Sequence, residues 1–440
     1  MRVATRLSPR EHSVFAMYLA SVLAGYSAVA GAQRPPNVRP LGPIVARSVE
    51  PLASVSQVRA LPDGRVLAND LTGRRVLMFD ATLSVATVIA DSTSATANAY
   101  SSRLGGLIAY RGDSTLFADP ASLSMLVIDP AGRIVRAMSI PQPNDAQSLI
   151  GGPFGTPGFD LRGRLVYRSA IRPTSPVQGA APAQPPDSAS IVRFDLSTRH
   201  LDTLGRFGIP VGKVKRSKGE DGWIRQIAVV NPIPWTDDWS LLSDGRIAIV
   251  RGREYRVDFI GTDGVIRAGP RIPFDWQSLS DADKVAIIDS TKAAMDKLRA
   301  DLVAESSISA PSPTATSAIG GGRELAQPEG TAMRNGAPGS PDASLMFPPL
   351  EYFSPSELPD YRPAFRQGAS RGDLDGNLWI RTTAGGVDGT VYDVIDRDGR
   401  LSERVLVPSG RVVVGFGLGG VVYLSVRDGQ IVRLERARAR

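Results

Sequence analysis

The reactive inventory of this 440-residue chain is narrow. It has no cysteine, which removes disulfides, thiolate metal sites and cysteine nucleophiles. Histidine occurs only at His12 and His200. A Ser-His-Asp device would have to form around His200, in residues 191–204 (IVRFDLSTRHLDTL), where an exposed turn histidine is the simpler reading. No phosphate-cradling loop, dinucleotide fingerprint or nucleophile elbow occurs in a suitable strand context. Carboxylates and guanidiniums remain.

Six of these are the candidate binding residues: Asp70, Asp119, Asp237, Asp238, Arg251 and Arg381. Aligned on the glycine before a recurrent apolar strand, Asn69/Asp70, Asp119, Arg168/Ser169, Arg251, Arg381/Thr382 and Arg427 fall at equivalent strand ends. A ring of mixed charge there could take an acidic or zwitterionic ligand, or the carboxylate end of a peptide. Its other reading is salt bridging between neighbouring units. Arg251 and Arg381 belong to consecutive units, so together they predict a positive concavity for a carboxylate or phosphate. Asp237 or Asp238 would cancel that charge if either entered the same rim. Both lie in residues 232–239 (PIPWTDDW), where two tryptophans flank the acids, a composition that suits sugar or peptide recognition or plain packing.

The elements that must position these residues repeat along the chain. Residues 57–90 parse as four short strands separated by Pro-Asp-Gly, Thr-Gly and Ala-Thr turns. Similar units recur at 104–141, 158–204, 239–273, 368–408 and 411–440. Asp-Gly turns at 63–64, 244–245, 375–376 and 398–399 favour tight hairpins. Four-stranded units about 40 residues apart predict an all-β, six-bladed β-propeller. The last unit has only three clear strands, and residues 44–50 (IVARSVE) are expected to supply its fourth and close the ring.

Residues 64–80 (GRVLANDLTGRRVLMFD), and less closely 114–129 (STLFADPASLSMLVID), resemble the repeat of NHL and TolB-like six-bladed propellers. That superfamily holds both binding scaffolds and enzymes. Its lactonase-like members hold calcium with inward Glu, Asn and Asp, and Asn69, Asp70 and Asp119 are compatible residue types. The resemblance thus leaves two functions open. One is a non-catalytic binding or scaffold module, without cofactor, recognising a protein, peptide or small ligand at the channel mouth. The other is a calcium-assisted (Ca2+) lactonase-like hydrolase or lyase.

Three arginines, the apolar stretch 13–30 and Ala30-Gly31-Ala32 have the layout of a secretory signal cleaved after Ala32. The mature chain, with no other segment near membrane-spanning length, is expected to be secreted or periplasmic. The net charge of +7 falls to +5 on cleavage, and its arginines are dispersed rather than clustered with aromatics, which argues against a nucleic-acid partner. Lys213, Lys215, Arg216 and Lys218 read as a solvated loop. The domain reading is residues 1–32 as signal, 33–272 as closing strand and blades 1–4, 273–366 as an insertion, and 367–440 as blades 5–6. Within the insertion a helix is expected over about 281–303, with Val285, Ile288, Met295, Leu298 and Leu302 as its apolar stripe. Residues 306–342 are rich in Ser, Pro, Gly, Ala and Thr and are expected to be disordered.

Overall fold

The structure is a computed structural model describing residues 35–92, 105–171, 186–218, 224–308 and 350–439. The segment expected to be a secretory signal, residues 173–185 and nearly all of 306–342 lie outside the described residues. Residues 36–440 group as one compact unit.

Short apolar runs and tight turns give antiparallel meanders. The first sheet comprises Val55–Ala60, Val66–Asp70, Arg75–Phe79 and Ala86–Ala90. The second has Gly106–Ala109, Thr115–Asp119, Ser124–Ile128 and Ile134–Ser139. Gly158–Phe159, Leu165–Arg168, Ser188–Phe194 and Leu201–Gly208 make the third; Asp238–Leu241, Ile247–Arg251, Arg256–Ile260 and Ile266–Arg271 make the fourth. The fifth contains Phe365–Gly372, Leu378–Gly386, Gly389–Ile395 and Leu401–Pro408, and the sixth Arg411–Gly417, Val421–Asp428 and Ile431–Arg438. The N-terminal chain edges both of these last sheets. Val38–Pro40 runs parallel to Leu401–Pro408, and Ile44–Arg47 runs antiparallel to Ile431–Arg438.

The turns follow from residue type. Gly64, Gly245, Gly376 and Gly399 all adopt φ between 79° and 92°, a region that costs an L side chain strain. The aspartate before a turn completes it: Asp129 Oδ1 accepts the amide of Arg133 at 2.8 Å while Oδ2 accepts its guanidinium.

Each sheet packs face to face on the next. One apolar cluster fills each gap: Phe79 with Leu434 between sixth and first, Phe117 with Val76 between first and second, and Tyr167 with Leu116 between second and third. Trp239 with Ile191, Tyr255 with Phe365, and Trp379 with Phe416 fill the remaining three. Burial on both faces explains why the second strands are apolar without alternation; every residue of Val66–Asp70 is buried. The first strands touch in succession around an axis. Gln57 exchanges hydrogen bonds with Leu107, Thr156 bridges Ser240, and the Ser370 amide donates to Asp238. Val58 lies under Gly415, where a Cβ would come within 2.5 Å of its side chain. The fold is a β-propeller.

Two sequence expectations are corrected. Residues 213–218 are not a loop but the strand Lys213–Lys218, paired with Ile224–Val230, which in turn pairs in parallel with Leu350–Tyr352. Lys213 and Lys215 form ion pairs with Glu357 and Glu351. The helix is Asp281–Ile308, opened by reciprocal bonds between Ser280 and Asp283. Its stripe is only partly the expected one: Ile288 and Met295 are half-buried, but Val285 and Leu298 are exposed, Lys284 is buried and reaches Asp360 at 2.7 Å, and the Leu302 side chain lies outside the described residues.

Candidate functional site

The strand-end residues divide into those whose charge is used up by the fold and those whose charge is free. Asp70 is fully buried at the end of its strand. It accepts the amides of Ala53, Ser54 and Gly73 and pairs with Arg75 at 3.1 Å. Asp119 accepts the Ala121 amide and the Ser122 hydroxyl. Asn69 donates to the Gly105 carbonyl. These carboxylates hold turns. Among the described residues no three His, Asp or Glu side chains gather as a metal set.

Arg251 is neutralised. Its guanidinium meets Asp237 at 2.8 Å and Asp258 at 2.7 Å, and Asp258 also binds Arg256, which pairs with Glu254. Burial opposes the Arg251 charge, but hydrogen bonds to Asp258 and Asp237 outweigh it and hold its pKa above the ordinary value. Asp237 further accepts the amides of Gly208 and Gly252, so this cluster ties strand ends together. Arg168 is buried over the rings of Phe154 and Phe207, with its Cζ 5.4 and 5.9 Å from their centroids. Arg427 is exposed at the end of its strand. His200 is also exposed, bonded to Asp202 at 2.7 Å.

Asp238 has a different role. It is the first residue of the innermost strand of the fourth sheet and is 1% exposed. It accepts the Ser370 amide at 2.8 Å. Beside it the Ser240 hydroxyl donates to Thr156 Oγ1 at 3.0 Å and to the Ser370 carbonyl at 3.1 Å. Burial pushes the Asp238 carboxyl up to about 6, against the partly offsetting hydrogen bonds from Ser370. Arg371, on the facing strand and within electrostatic reach, is held below its ordinary value by burial and donates to the Ser56 carbonyl across the axis. The tryptophans of the 232–239 segment are packing elements. Trp239 is fully buried and donates to the Phe154 carbonyl; Trp235 meets Trp276 in a tilted ring contact with centroids 5.7 Å apart.

Arg381 is the exception. It stands exposed at the rim with no carboxylate partner among the described residues, and lines a cavity of about 490 Å³. Arg251 does not reach that cavity. In its place are Arg362, from the segment leading into the fifth sheet, and Arg366, on its innermost strand. Neither forms an ion pair with any described residue, and Arg362 Nε is buried without an acceptor. Asp283 feels the charge of Arg362 without forming an ion pair with it. The rest of the lining is Gln367, small glycines and alanines, and Thr382, Thr383 and Thr390; it includes no acid. The hairpin Gly385–Gly389 must be glycine at its closing end, since a Cβ on Gly389 would lie 2.1 Å from the Val407 carbonyl oxygen.

A second hollow of about 280 Å³ adjoins the first and shares Arg362, Arg366, Gln367 and Thr383 with it. Its other walls are apolar, made by Pro153, Pro232, Ile233, Pro234, Pro363 and Phe365. A third hollow, between the fifth and sixth sheets, contrasts with both. Its acids are committed: Asp373 to Asn377 and Trp379, Asp375 to the amides of Gly419 and Gly420, and Glu403 to Arg39.

Arg362 and Arg366 escaped the strand-end alignment because it samples one residue per unit, and both lie outside the sampled strand. The signal that could have found them is the density of arginine at 362, 366, 371 and 381 around a proline-rich approach.

No protein-family model matches the chain, and no curated protein matches its sequence. Among solved structures it is similar to a gluconolactonase from Xanthomonas campestris, with 12% identity and a TM-score of 0.37 over 93% of this chain and 99% of that one. It is also similar to virginiamycin B lyase from Staphylococcus aureus, with 10% identity and a TM-score of 0.38 over 88% of this chain and 95% of the other. TolB from Acinetobacter baumannii shows 10% identity and a TM-score of 0.32, covering 87% of this chain and 63% of TolB. Likenesses of this size say nothing about what the chain binds or transforms.

Proposed function

We propose that the chain is an exported, six-bladed, non-catalytic recognition module that binds the carboxylate or phosphate of its ligand at the rim formed by Arg362, Arg366 and Arg381. One observation carries this reading: three arginines line a cavity of about 490 Å³ whose lining contains no acid, whereas Arg251, at the aligned position of the preceding unit, is fully balanced. Unbalanced like charges held together cost free energy that an anionic ligand recovers, and guanidiniums offer planar, bidentate donors suited to that ligand. The volume lies within the roughly 300–1,000 Å³ typical of small-ligand sites. No cofactor enters the proposal.

Titration calorimetry with inorganic phosphate and with N-acetylglycine tests the site. Both anions are expected to bind, more weakly as salt rises. The double variant Arg366→Gln/Arg381→Gln removes two exposed side chains, so its melt should stay unchanged while affinity falls about 100-fold, the loss of two charge-assisted bonds. Arg216→Gln, on the appended sheet, should bind as the parent does. Equal binding by all three proteins would refute the site.

A further inference from the structure

The arginine cavity and the apolar hollow are contiguous. Arg362, Arg366, Gln367 and Thr383 line both, so an anion seated in the first lies within one residue's reach of the Pro- and Ile-lined second. A ligand filling both must be acidic at one point and apolar immediately beside it. Gln367 sits at the junction. Its carboxamide nitrogen donates to the Pro153 carbonyl at 2.7 Å, which fixes the side chain and leaves its oxygen as an acceptor that no described donor uses. The junction therefore offers guanidiniums to a carboxylate, an amide-type oxygen to an N–H donor, and an apolar hollow to a side chain.

We infer that the ligand is the free C-terminus of a peptide ending in an apolar residue, an inference that rests on the anion site proposed above. The α-carboxylate lies between Arg366 and Arg381. The amide N–H of the last residue donates to Gln367 Oε1, and its side chain enters the hollow between Ile233 and Phe365. These three groups share one α-carbon in a peptide end, which matches three complementary features around one junction. A fatty acid supplies the carboxylate and the apolar chain but no donor for Gln367. A phosphate supplies only the charge.

The test uses the whole protein and four ligands measured by calorimetry: N-acetyl-Gly-Gly-Leu, its C-terminal amide, N-acetyl-Gly-Gly-Gly and 4-methylpentanoate. The free acid ending in leucine should bind tightest. Amidation should weaken it about 100-fold, because the charge-assisted bonds go. Glycine at the end should weaken it about tenfold, from the empty hollow. The methylpentanoate, lacking the N–H, should fall below the leucine peptide by a similar factor. Gln367→Leu should erase the difference between the leucine peptide and the methylpentanoate, a readout that mere loss of stability would not produce. If phosphate and N-acetylglycine bind but the leucine and glycine peptides bind alike, the peptide-end inference falls and the anion site stands. If no anion binds, both fall.

Discussion

Deletion of residues 33–47 should cost the protein several kcal/mol, lower its melting temperature by about 10 °C and cause aggregation. The segment supplies the outermost strand to two sheets at once, through Val38–Pro40 on the fifth and Ile44–Arg47 on the sixth. It also inserts Leu41, 8% exposed, into the cluster between those sheets, and ties Arg39 to Glu403 and to the Ala439 carbonyl. Burial of one such leucine contributes about 2 kcal/mol, and its strand pairings add to this. At roughly 2 °C per kcal/mol for a chain of this size, the drop reaches about 10 °C. Loss of the segment also bares the edges of Leu401–Pro408 and Ile431–Arg438, which present unpaired backbone to other chains. Differential scanning calorimetry and light scattering of the truncated protein check this. An unchanged melt and a monodisperse solution would mean that the segment only decorates the ring.

Asp238 is expected to make stability depend on pH in the opposite sense from an ordinary paired carboxylate. Its folded pKa is about 6 against an ordinary 3.8, because burial disfavours the anion more than Ser370 stabilises it. Between those two values the folded protein holds a proton that the unfolded chain has released, so this group's contribution to stability falls as pH rises. The difference of about two pH units corresponds to roughly 3 kcal/mol, withheld above pH 6 and restored below 3.8. Asp238→Asn keeps an acceptor for the Ser370 amide and cannot ionise. Its stability relative to the parent should therefore rise by about 3 kcal/mol between pH 3.5 and 7.5. Chemical denaturation of both proteins at the two values reads that difference. A difference that does not change with pH would show that Arg371 or the hydroxyls of Ser240 and Thr156 already stabilise the anion in the native channel.

The repeat was legible because each unit carries its own local instructions: short apolar strands separated by tight turns, several of them Asp-Gly. Every residue of Val66–Asp70 is buried, and Gly64, Gly245, Gly376 and Gly399 each take the positive φ that their turns need. What the chain hides is what depends on distant partners. Lys213–Lys218 is a strand because Ile224–Val230 is held by Leu350–Tyr352, some 120 residues on, and no local pattern announces a parallel pairing at that distance. The helix Asp281–Ile308 turns Lys284 inward beside the half-buried Ile288 and Met295 and leaves the more apolar Val285 exposed, an offset that hydropathy alone does not announce. The site divided in the same way. The fate of Arg251 was partly visible, since Asp237 lies in the acidic segment before its sheet, but Asp258 enters from the neighbouring strand, paired opposite Ile249. Arg381 was visible in the repeat alignment, but its strand does not end there; it runs on past a register irregularity to Gly386. Arg362 and Arg366 were not, because their place at the rim comes from the return of the chain after the helix rather than from the repeat.

Whether an acid is bound at this rim is read out by a crystal structure of the protein with N-acetyl-Gly-Gly-Leu. Carboxylate oxygens are expected within hydrogen-bond distance of Arg366 and Arg381, with the leucine side chain against Ile233 and Phe365. Peptide density on another face, or Arg366 and Arg381 turned onto the protein's own carboxylates while the cavity holds only water, would contradict it.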